Sequence, residues 1–404
     1  MLKKNTLPIS ALAMLMFLAM MAADLFSSLD LPLLGNADEF MGIIAWIAVL
    51  FYLFRNIRSI KKSVMYPMAC LLFMLLIGIL GNIRSGIINS KGMIVLDAFL
   101  FRKPYIIFVF GLLFFQKYAR RLVPYFARIA RLAIWILTIF ALCSQVIPMG
   151  MRSEDGDFIF LASYGGTVSW WMILFLGLVW TDKKSDKELI LYLTMSGGVI
   201  LLNGSGLGII TYGIGVMMFI VLEKKKKIRW YYIVLAIAVC AFLGRNEIAE
   251  YLLTSTAPRA VLLRYAFVTA NTYAPFGSGF ATYGSAAAIR EYSKLYYAYG
   301  FARIYGMTKE YHPYLMDNYY QQIIGQLGYP GFLALGLYIY KIVQRVLSFH
   351  SASIRNGTLL LYGCLLVASI AFGTAGSWGC TVYMLVPMLI EMDKDPQRNG
   401  RDSV

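Results

Sequence analysis

Basic residues and tyrosines are concentrated in one stretch of the chain, residues 245–317. The basic residues there are Arg245, Arg259, Arg264, Arg290, Lys294, Arg303 and Lys309. Together with Tyr319 and Tyr320 directly after it, the stretch holds thirteen of the 28 tyrosines. A guanidinium group binds phosphate oxygens in pairs, and a tyrosine ring stacks on a sugar face while its hydroxyl bonds sugar oxygens. The pattern favours a ligand that combines phosphate with sugar. The alternative is a lid whose arginines only contact lipid head groups or backbone carbonyls.

A second group of charges interrupts an apolar run at residues 94–116. Asp97, Arg102 and Lys103 lie there, beside Pro104. Ionisable residues inside a membrane are costly and usually face a cavity or a partner. One interpretation places Arg102 beneath the stretch 245–317, where it could meet a lipid-linked phosphate. The alternatives are a structural pair of Asp97 with Arg102 or Lys103, and side chains that extend to the membrane interface.

The composition indicates what kind of protein positions these residues. Of the 404 residues, 59% are hydrophobic and 14% are charged, whereas soluble chains have about 45–50% and about 25%. This composition excludes a soluble enzyme, a disordered protein and a nucleic-acid-binding domain. It is typical of an integral membrane protein, and nucleic acid is not expected as a partner.

Apolar runs between charge clusters predict about twelve membrane-spanning helices, because a spanning helix needs roughly 20 mostly apolar residues. The predicted segments are 7–28, 39–54, 64–83, 94–116, 129–148, 164–180, 188–202, 205–222, 230–244, 319–344, 357–375 and 378–391. We therefore expect an all-α polytopic membrane protein that forms one integral membrane domain over residues 1–404. Its large outer loop is residues 245–317, with an amphipathic helix around residues 286–304.

The distribution of Lys and Arg supports this topology. The formal net charge is +16, from 37 Lys and Arg against 21 Asp and Glu. Twenty-five of the 37 lie at the termini and in alternate loops, and cytoplasmic loops collect Lys and Arg. Both termini are therefore predicted to be cytoplasmic. Twelve bases remain on the outer side, and seven of these belong to the outer loop.

The residues at the end of the outer loop resemble a known family. The segment from Asp317 to Gly331 is similar to the end of the large periplasmic loop in the bacterial O-antigen ligase and polymerase superfamily. The ligases of that family show His-(Asn/Ser/Gln)-x9-Gly-x-x-(Gly/Thr/Tyr). Asn318, Gly328 and Gly331 match at that spacing, and Asp317 stands where the ligases have histidine.

Two more stretches carry the resemblance. Arg259 and Arg264, followed by the Pro-Phe-Gly-Ser-Gly-Phe segment at residues 275–280, resemble the family's arginine and Pro-x-Gly-x-Gly turn. The small residues around 203–208 resemble its hairpin before the loop. The similarity covers roughly residues 160–345.

The resemblance implies a GT-C-like fold in the bacterial inner membrane, with the outer loop on the periplasmic side. It implies transfer of a glycan from undecaprenyl diphosphate at the outer face of that membrane, without metal, nucleotide sugar or other cofactor. The implied partners are the undecaprenyl-diphosphate-linked oligosaccharide, membrane lipids and a chain-length-regulating membrane protein. A polymerase passes the glycan to the next lipid-linked repeat unit, whereas a ligase passes it to lipid A-core. Asp317 in place of histidine favours the polymerase, and His312 is the alternative as a displaced equivalent of that histidine.

Such a transfer displaces a diphosphate from an anomeric carbon by a sugar hydroxyl, and inversion is the simpler expectation. Cations can neutralise the leaving diphosphate, and a carboxylate can act as general base. We expect Asp317 to be the base and Arg259 and Arg264 to contact the diphosphate. The substrate-binding candidates are Arg290, Arg303, Arg102, Asn318, Tyr319, Tyr320 and His312.

Three alternatives stay open from the sequence. Asp317 and Asn318 could instead cap the helix that follows, and Tyr319 and Tyr320 could belong to an interfacial aromatic belt. The chain could also be a flippase for lipid-linked oligosaccharides, in which case its bases should lie inside helices along a central cavity. The sequence shows no repeated halves of the kind that many transporters have.

Overall fold

The structure is a computed structural model that describes residues 6–29, 35–56, 62–87, 90–163, 165–223, 257–316, 318–370 and 376–393. These residues are almost entirely helical, and their one β pairing is an isolated antiparallel bridge between Arg152 and Phe158. The helices in chain order are α1 Thr6–Leu25, α2 Ala37–Arg55, α3 Lys62–Ser85, α4 Lys91–Phe110, α5 Ala119–Val146, α6 Thr167–Thr181, α7 Asp186–Asn203, α8 Gly206–Met218, α9 Pro258–Thr272, α10 Ala286–Arg290, α11 Lys294–Ala298, α12 Tyr319–Leu347, α13 Ala352–Ala368 and α14 Ser377–Met392.

Helices lie at eleven of the twelve predicted segments, as α1 to α8 and α12 to α14. The predicted segment 230–244 lies outside the described residues. In the described parts of the chain, four helical stretches are long and apolar enough to cross a membrane: Ala37–Arg55, Lys62–Ser85, Lys91–Val146 and Tyr319–Leu347. The chain is therefore a helical protein of the membrane type, whereas the number of spans and the GT-C-like arrangement stay predictions.

Two helices form the centre of the bundle. Every residue of α6 from Val168 to Thr181 is buried, as expected for a helix that is apolar on all sides. This helix packs against α5, α7 and α13, and the similarly buried α14 packs against α1 and α4. By contrast, α2 and α3 expose large apolar side chains, such as Phe54 at 81% and Ile83 at 72%. These outward faces are suited to contact lipid.

The small-residue segment between α7 and α8 forms a tight turn, as its sequence predicts. Gly204 adopts a left-handed conformation with φ of 71°, which glycine adopts without steric cost. The Asn203 amide donates to the Phe158 carbonyl at 2.6 Å and to the Gly165 carbonyl at 2.5 Å. The turn is therefore fixed by internal hydrogen bonds.

The outer loop is less regular than predicted. The expected helix at 286–304 is instead two short helices, α10 and α11, followed by a 3₁₀ turn at Phe301–Arg303. Tyr292 and Gly300 interrupt it with positive φ values of 45° and 73°, and such a conformation cannot continue a right-handed helix.

Candidate functional site

The outer loop has an aromatic core of its own. Tyr283 and Tyr296 are fully buried, and the ring of Tyr296 stacks on Phe301 with ring centroids 5.6 Å apart. The Tyr283 hydroxyl donates to the Leu262 carbonyl, and the Tyr296 hydroxyl accepts from the Gly284 amide at 2.8 Å. These tyrosines therefore stabilise the loop and do not offer their rings to a ligand.

Burial also fixes the protonation state of this core. It raises the pKa of Tyr292 to about 12 and the pKa values of Tyr283 and Tyr296 well above the usual range of tyrosine. The hydroxyls therefore stay protonated at neutral pH. Tyr292 uses its proton to donate to the Met307 carbonyl at 2.8 Å, which ties the turn between α10 and α11 to a later segment of the loop.

A buried carboxylate attaches the loop to the bundle. Oδ2 of Asp97, in α4, accepts from the Ala281 amide at 2.5 Å, from the Ser285 hydroxyl at 2.9 Å and from Nε2 of Gln326 at 2.7 Å. Gln326 also donates to the Ser285 hydroxyl at 3.1 Å. One carboxylate thus holds together α4, the loop and α12. The alternative in which Asp97 pairs with Arg102 or Lys103 is wrong.

The segment at residues 275–280 is a second attachment. The Asn82 side chain, in α3, donates to the Phe280 carbonyl and accepts from the Phe280 amide, both at 2.9 Å. Ser85 donates to the Ser278 carbonyl at 2.8 Å. A Cβ atom added to Gly279 would overlap the backbone nitrogen of Asn82. The glycines of this segment therefore allow a neighbouring backbone, rather than a ligand, to approach closely.

The same segment fills a break in α12. Gly328 has φ of 61° and ψ of −164°, which interrupts the helix, and Pro330 has no N–H to donate to the Gln326 carbonyl. The amides of Ser278 and Gly279 bond the carbonyls of Gly325 and Gln326 instead, at 3.0 and 2.8 Å. The loop therefore supplies hydrogen bonds that α12 cannot make internally.

The other two charges of α4 face α2. Lys103 is buried and forms an ion pair with Asp38, which the sequence does not indicate. The half-buried Arg102 lies with its guanidinium 4.9 Å from the ring centroid of Trp46. It forms no ion pair among the described residues, and the buried indole N–H of Trp46 has no hydrogen-bond partner there. Nε of Arg102 donates to the Ala98 carbonyl at 2.6 Å, and neither the guanidinium nor the indole N–H has an anionic partner among the described residues.

The start of α12 adjoins the start of α9. Nε2 of Gln321 donates to the Arg259 carbonyl at 3.1 Å, and the guanidinium of Arg259 lies 5.6 Å from the ring centroid of Tyr314. Asn318 is the N-cap of α12, and its Oδ1 accepts from the Gln321 amide at 3.0 Å. Arg259, Tyr314, Asn318 and Gln321 therefore form a junction, which we call the α9–α12 junction. Asp317, the predicted base, lies outside the described residues.

Three predicted arginines point away from the loop core. Arg264, Arg290 and Arg303 are exposed, and none of them forms an ion pair with the residues that the structure describes. The contacts of those residues do not join the three to one another or to the junction. Arg245 lies outside the described residues.

Tyr319 and Tyr320 lie within the bundle. The Tyr319 hydroxyl bonds that of Tyr105, and its ring stacks on Phe101 with centroids 6.1 Å apart. The Tyr320 hydroxyl donates to the Leu366 carbonyl at 2.9 Å. Both residues therefore have structural contacts, and sugar stacking by them stays a prediction.

Other aromatic residues of the loop are accessible. Tyr305 and Tyr311 are 74% and 50% exposed, and their ring centroids are 5.3 Å apart. His312 is next to Tyr311, and its Nδ1 lies 3.0 Å from the Lys309 carbonyl. This pair of rings is better placed to meet a sugar than Tyr319 and Tyr320.

Asn82, Ser285 and Gln326 are not among the predicted site residues. Asn82 and Gln326 lie inside predicted apolar spans, so the cost of polar groups within a membrane singles them out by the argument applied to Asp97. Ser285 carries no such signal.

The chain matches no known protein-family model and no curated protein sequence. Within the described ranges, no group of three or more His, Cys, Asp or Glu could hold a metal ion.

Proposed function

We propose that the chain is an O-antigen polymerase, which transfers a growing glycan from undecaprenyl diphosphate to the next lipid-linked repeat unit at the periplasmic face. The observation that carries the proposal is the exposure of Arg264, Arg290 and Arg303, without ion pairs among the described residues, on a loop with its own core. Unpaired guanidinium groups on a well-packed support suit the binding of phosphate and acidic sugars.

In this proposal the diphosphate binds at the accessible surface of α9, which carries both Arg259 and Arg264. Arg259 and Arg264 neutralise the charge that develops on the leaving diphosphate. Arg102, which is half-buried and lies over the ring of Trp46 in α2, contacts a lipid-linked phosphate. Tyr305 and Tyr311 contact the sugars.

The acceptor hydroxyl is deprotonated near the α9–α12 junction. Asp317 directly precedes the helix N-cap Asn318, and it acts as the general base. Because Oδ1 of Asn318 accepts from Gln321, its amide nitrogen is the atom left to orient a sugar oxygen. Attack on the face opposite to the diphosphate gives inversion at the anomeric carbon.

The test is complementation of a strain that lacks the gene, read as the ladder of lipopolysaccharide lengths. We expect Arg264→Ala to shorten the ladder to single repeats and the matched control Arg84→Ala, an exposed arginine outside the loop, to keep it. A normal ladder with Arg264→Ala contradicts the assigned site. Bare core with accumulated lipid-linked polymer in the null strain indicates a ligase and contradicts the proposal.

Asp317→Asn tests Asp317 as the general base. Asparagine caps a helix about as well as aspartate but cannot accept a proton as a carboxylate does. We expect this variant to reach the membrane in normal amounts and to make no polymer. A normal ladder with Asp317→Asn would show that Asp317 is not the base, since Asn318 is already the N-cap of α12.

A further inference from the structure

A cavity of about 420 Å³ lies at the opposite end of α12 from the α9–α12 junction. Its walls come from α3, from the end of α4 and the turns after it, from the second half of α12 and from α14. Asn318 and Lys341 are separated by 23 residues, or roughly 34 Å along a helix. The cavity is therefore separate from the residues of the proposed transferase site, and the charge distribution places it on the cytoplasmic side.

The interior of the cavity is apolar. Pro67, Phe108, Leu112 and Ile342 line it, and all four are buried. Leu112 belongs to a π-helical turn, Gly111–Phe115, directly after α4. Turns of this kind are rare and frequently occur at functional sites.

The cavity also contains groups that can bind a phosphate. Lys341 and Arg345 line it, are exposed, and lie one helical turn apart on α12. Lys341 donates to the Gln344 side chain at 3.3 Å and Arg345 to the Ser348 hydroxyl at 3.4 Å. Both hydrogen bonds are long. Tyr338 lines the cavity as well, and its buried hydroxyl has no hydrogen-bond partner among the described residues.

The charged side chains of the lining, Lys341 and Arg345, are both basic, and Glu391, which follows the lining residue Ile390, is not part of the lining. The lining residues Ser63 and Gln116 are neighbours in sequence of the exposed bases Lys62 and Lys117. No carboxylate belongs to the lining in the part of the chain that the structure describes. An anionic head group fits this surrounding, whereas a zwitterionic one would bring its ammonium group against two cations.

The membrane is the source of a ligand with these properties. The stretch of α12 beside the cavity exposes Leu337 at 49%, Tyr340 at 57% and Leu347 at 57%, so the cavity adjoins a surface suited to lipid. We propose that the cavity binds an anionic glycerophospholipid of the cytoplasmic leaflet. Lys341 and Arg345 contact its phosphate, and an acyl chain occupies the apolar part.

The test measures thermal unfolding of the purified full chain in detergent, titrated with phosphatidylglycerol. We expect a saturable rise in the midpoint temperature, with half-saturation at least fivefold lower than for phosphatidylethanolamine. The double variant Lys341→Ala/Arg345→Ala should raise the half-saturating concentration at least fivefold. The control Lys184→Ala/Lys187→Ala, two exposed bases on the same predicted side, should leave it unchanged.

A second variant tests the apolar part without changing charge. Ser63 is exposed where it lines the cavity, and Ser63→Trp should fill the entrance and weaken phosphatidylglycerol binding at least fivefold. Equal responses to the two lipids overturn the proposal, as does equal loss in the control pair. An equal saturable response to inorganic phosphate alone also overturns it, because the acyl chain would then contribute nothing.

Discussion

The outer loop has two faces that differ in how their polar groups are used. On the inner face, Asp97 and Asn82 are buried and bond Ala281, Ser285 and Phe280 of the loop. On the outer face, Arg264, Arg290 and Arg303 are exposed and have no ion pair among the described residues. The inner face attaches the loop to the bundle, and the outer face is accessible to a ligand.

This difference separates stability from function within one segment. A buried acceptor that is removed leaves donors unsatisfied, which is costly, whereas most surface substitutions change the free energy of unfolding by less than about 0.5 kcal/mol. Variants of the inner face should therefore unfold the loop, and variants of the outer face should change activity alone.

Asp97→Ala should have the largest effect on stability. The substitution leaves the Ala281 amide, the Ser285 hydroxyl and the Gln326 amide without their shared acceptor. We expect a loss of about 3–5 kcal/mol in the free energy of unfolding, seen as a lower midpoint temperature and faster proteolysis of the loop. Glu310→Ala removes an exposed carboxylate of the same loop and should change neither. Equal behaviour of the two variants would contradict the anchoring role of Asp97.

Gly328→Ala should come next. The added Cβ would lie 2.5 Å from the Pro275 carbonyl oxygen, in a backbone conformation with φ of +61°. We expect a loss of about 2–4 kcal/mol in thermal unfolding from clash and strain together. Gly336→Ala, in the same helix with nothing within 4 Å of its Cβ, should instead stabilise by up to about 1 kcal/mol. A neutral Gly328→Ala would mean that the break in α12 is dispensable.

Tyr319→Phe distinguishes a structural role from sugar binding. It removes one hydroxyl of the buried pair with Tyr105, so we expect a loss of about 1 kcal/mol and a normal lipopolysaccharide ladder. Tyr105→Phe should match it in both measurements. If Tyr319→Phe abolishes the ladder while Tyr105→Phe keeps it, Tyr319 contacts the glycan and the inner face takes part in binding.

Arg290→Ala and Arg303→Ala should have the smallest effect on stability, less than about 0.5 kcal/mol. Both should nevertheless shorten the ladder, because they remove exposed cations that form no ion pair with the described residues. Lysine at either position should restore part of the length, since it keeps the charge but not the bidentate geometry. Unchanged ladders with both alanine variants would remove the outer face from the binding surface.

The helices were predictable from the sequence because they depend on local composition. Apolar runs of sufficient length locate α1 to α8 and α12 to α14, and the small residues around Gly204 locate a turn. The partners of Asp97 were not predictable, because the Ala281 amide is 184 residues away in the chain. Only the folded structure shows which distant segment reaches a buried charge.

The candidate site was predictable in part. Exposed arginines follow from their charge, and Arg264 and Arg303 are exposed as binding requires. Tyrosine is ambiguous, since its ring can fill a core or stack on a sugar. Tyr283 and Tyr296 fill a core, whereas the rings of Tyr305 and Tyr311 are exposed, as stacking on a sugar requires. The sequence offers two candidates for the cap of α12, Asp317 and Asn318. Asn318 forms the cap.

The broken helix also implies an order of events during biogenesis. The amides that complete α12 come from Ser278 and Gly279, and Ser278 and Gly325 are 47 residues apart. A buried carbonyl without a partner costs free energy, and Pro330 rules out the ordinary partner of the Gln326 carbonyl. The helix α12 can therefore reach its final form only once the loop before it has folded against it, which couples the completion of the helix to the folding of the loop.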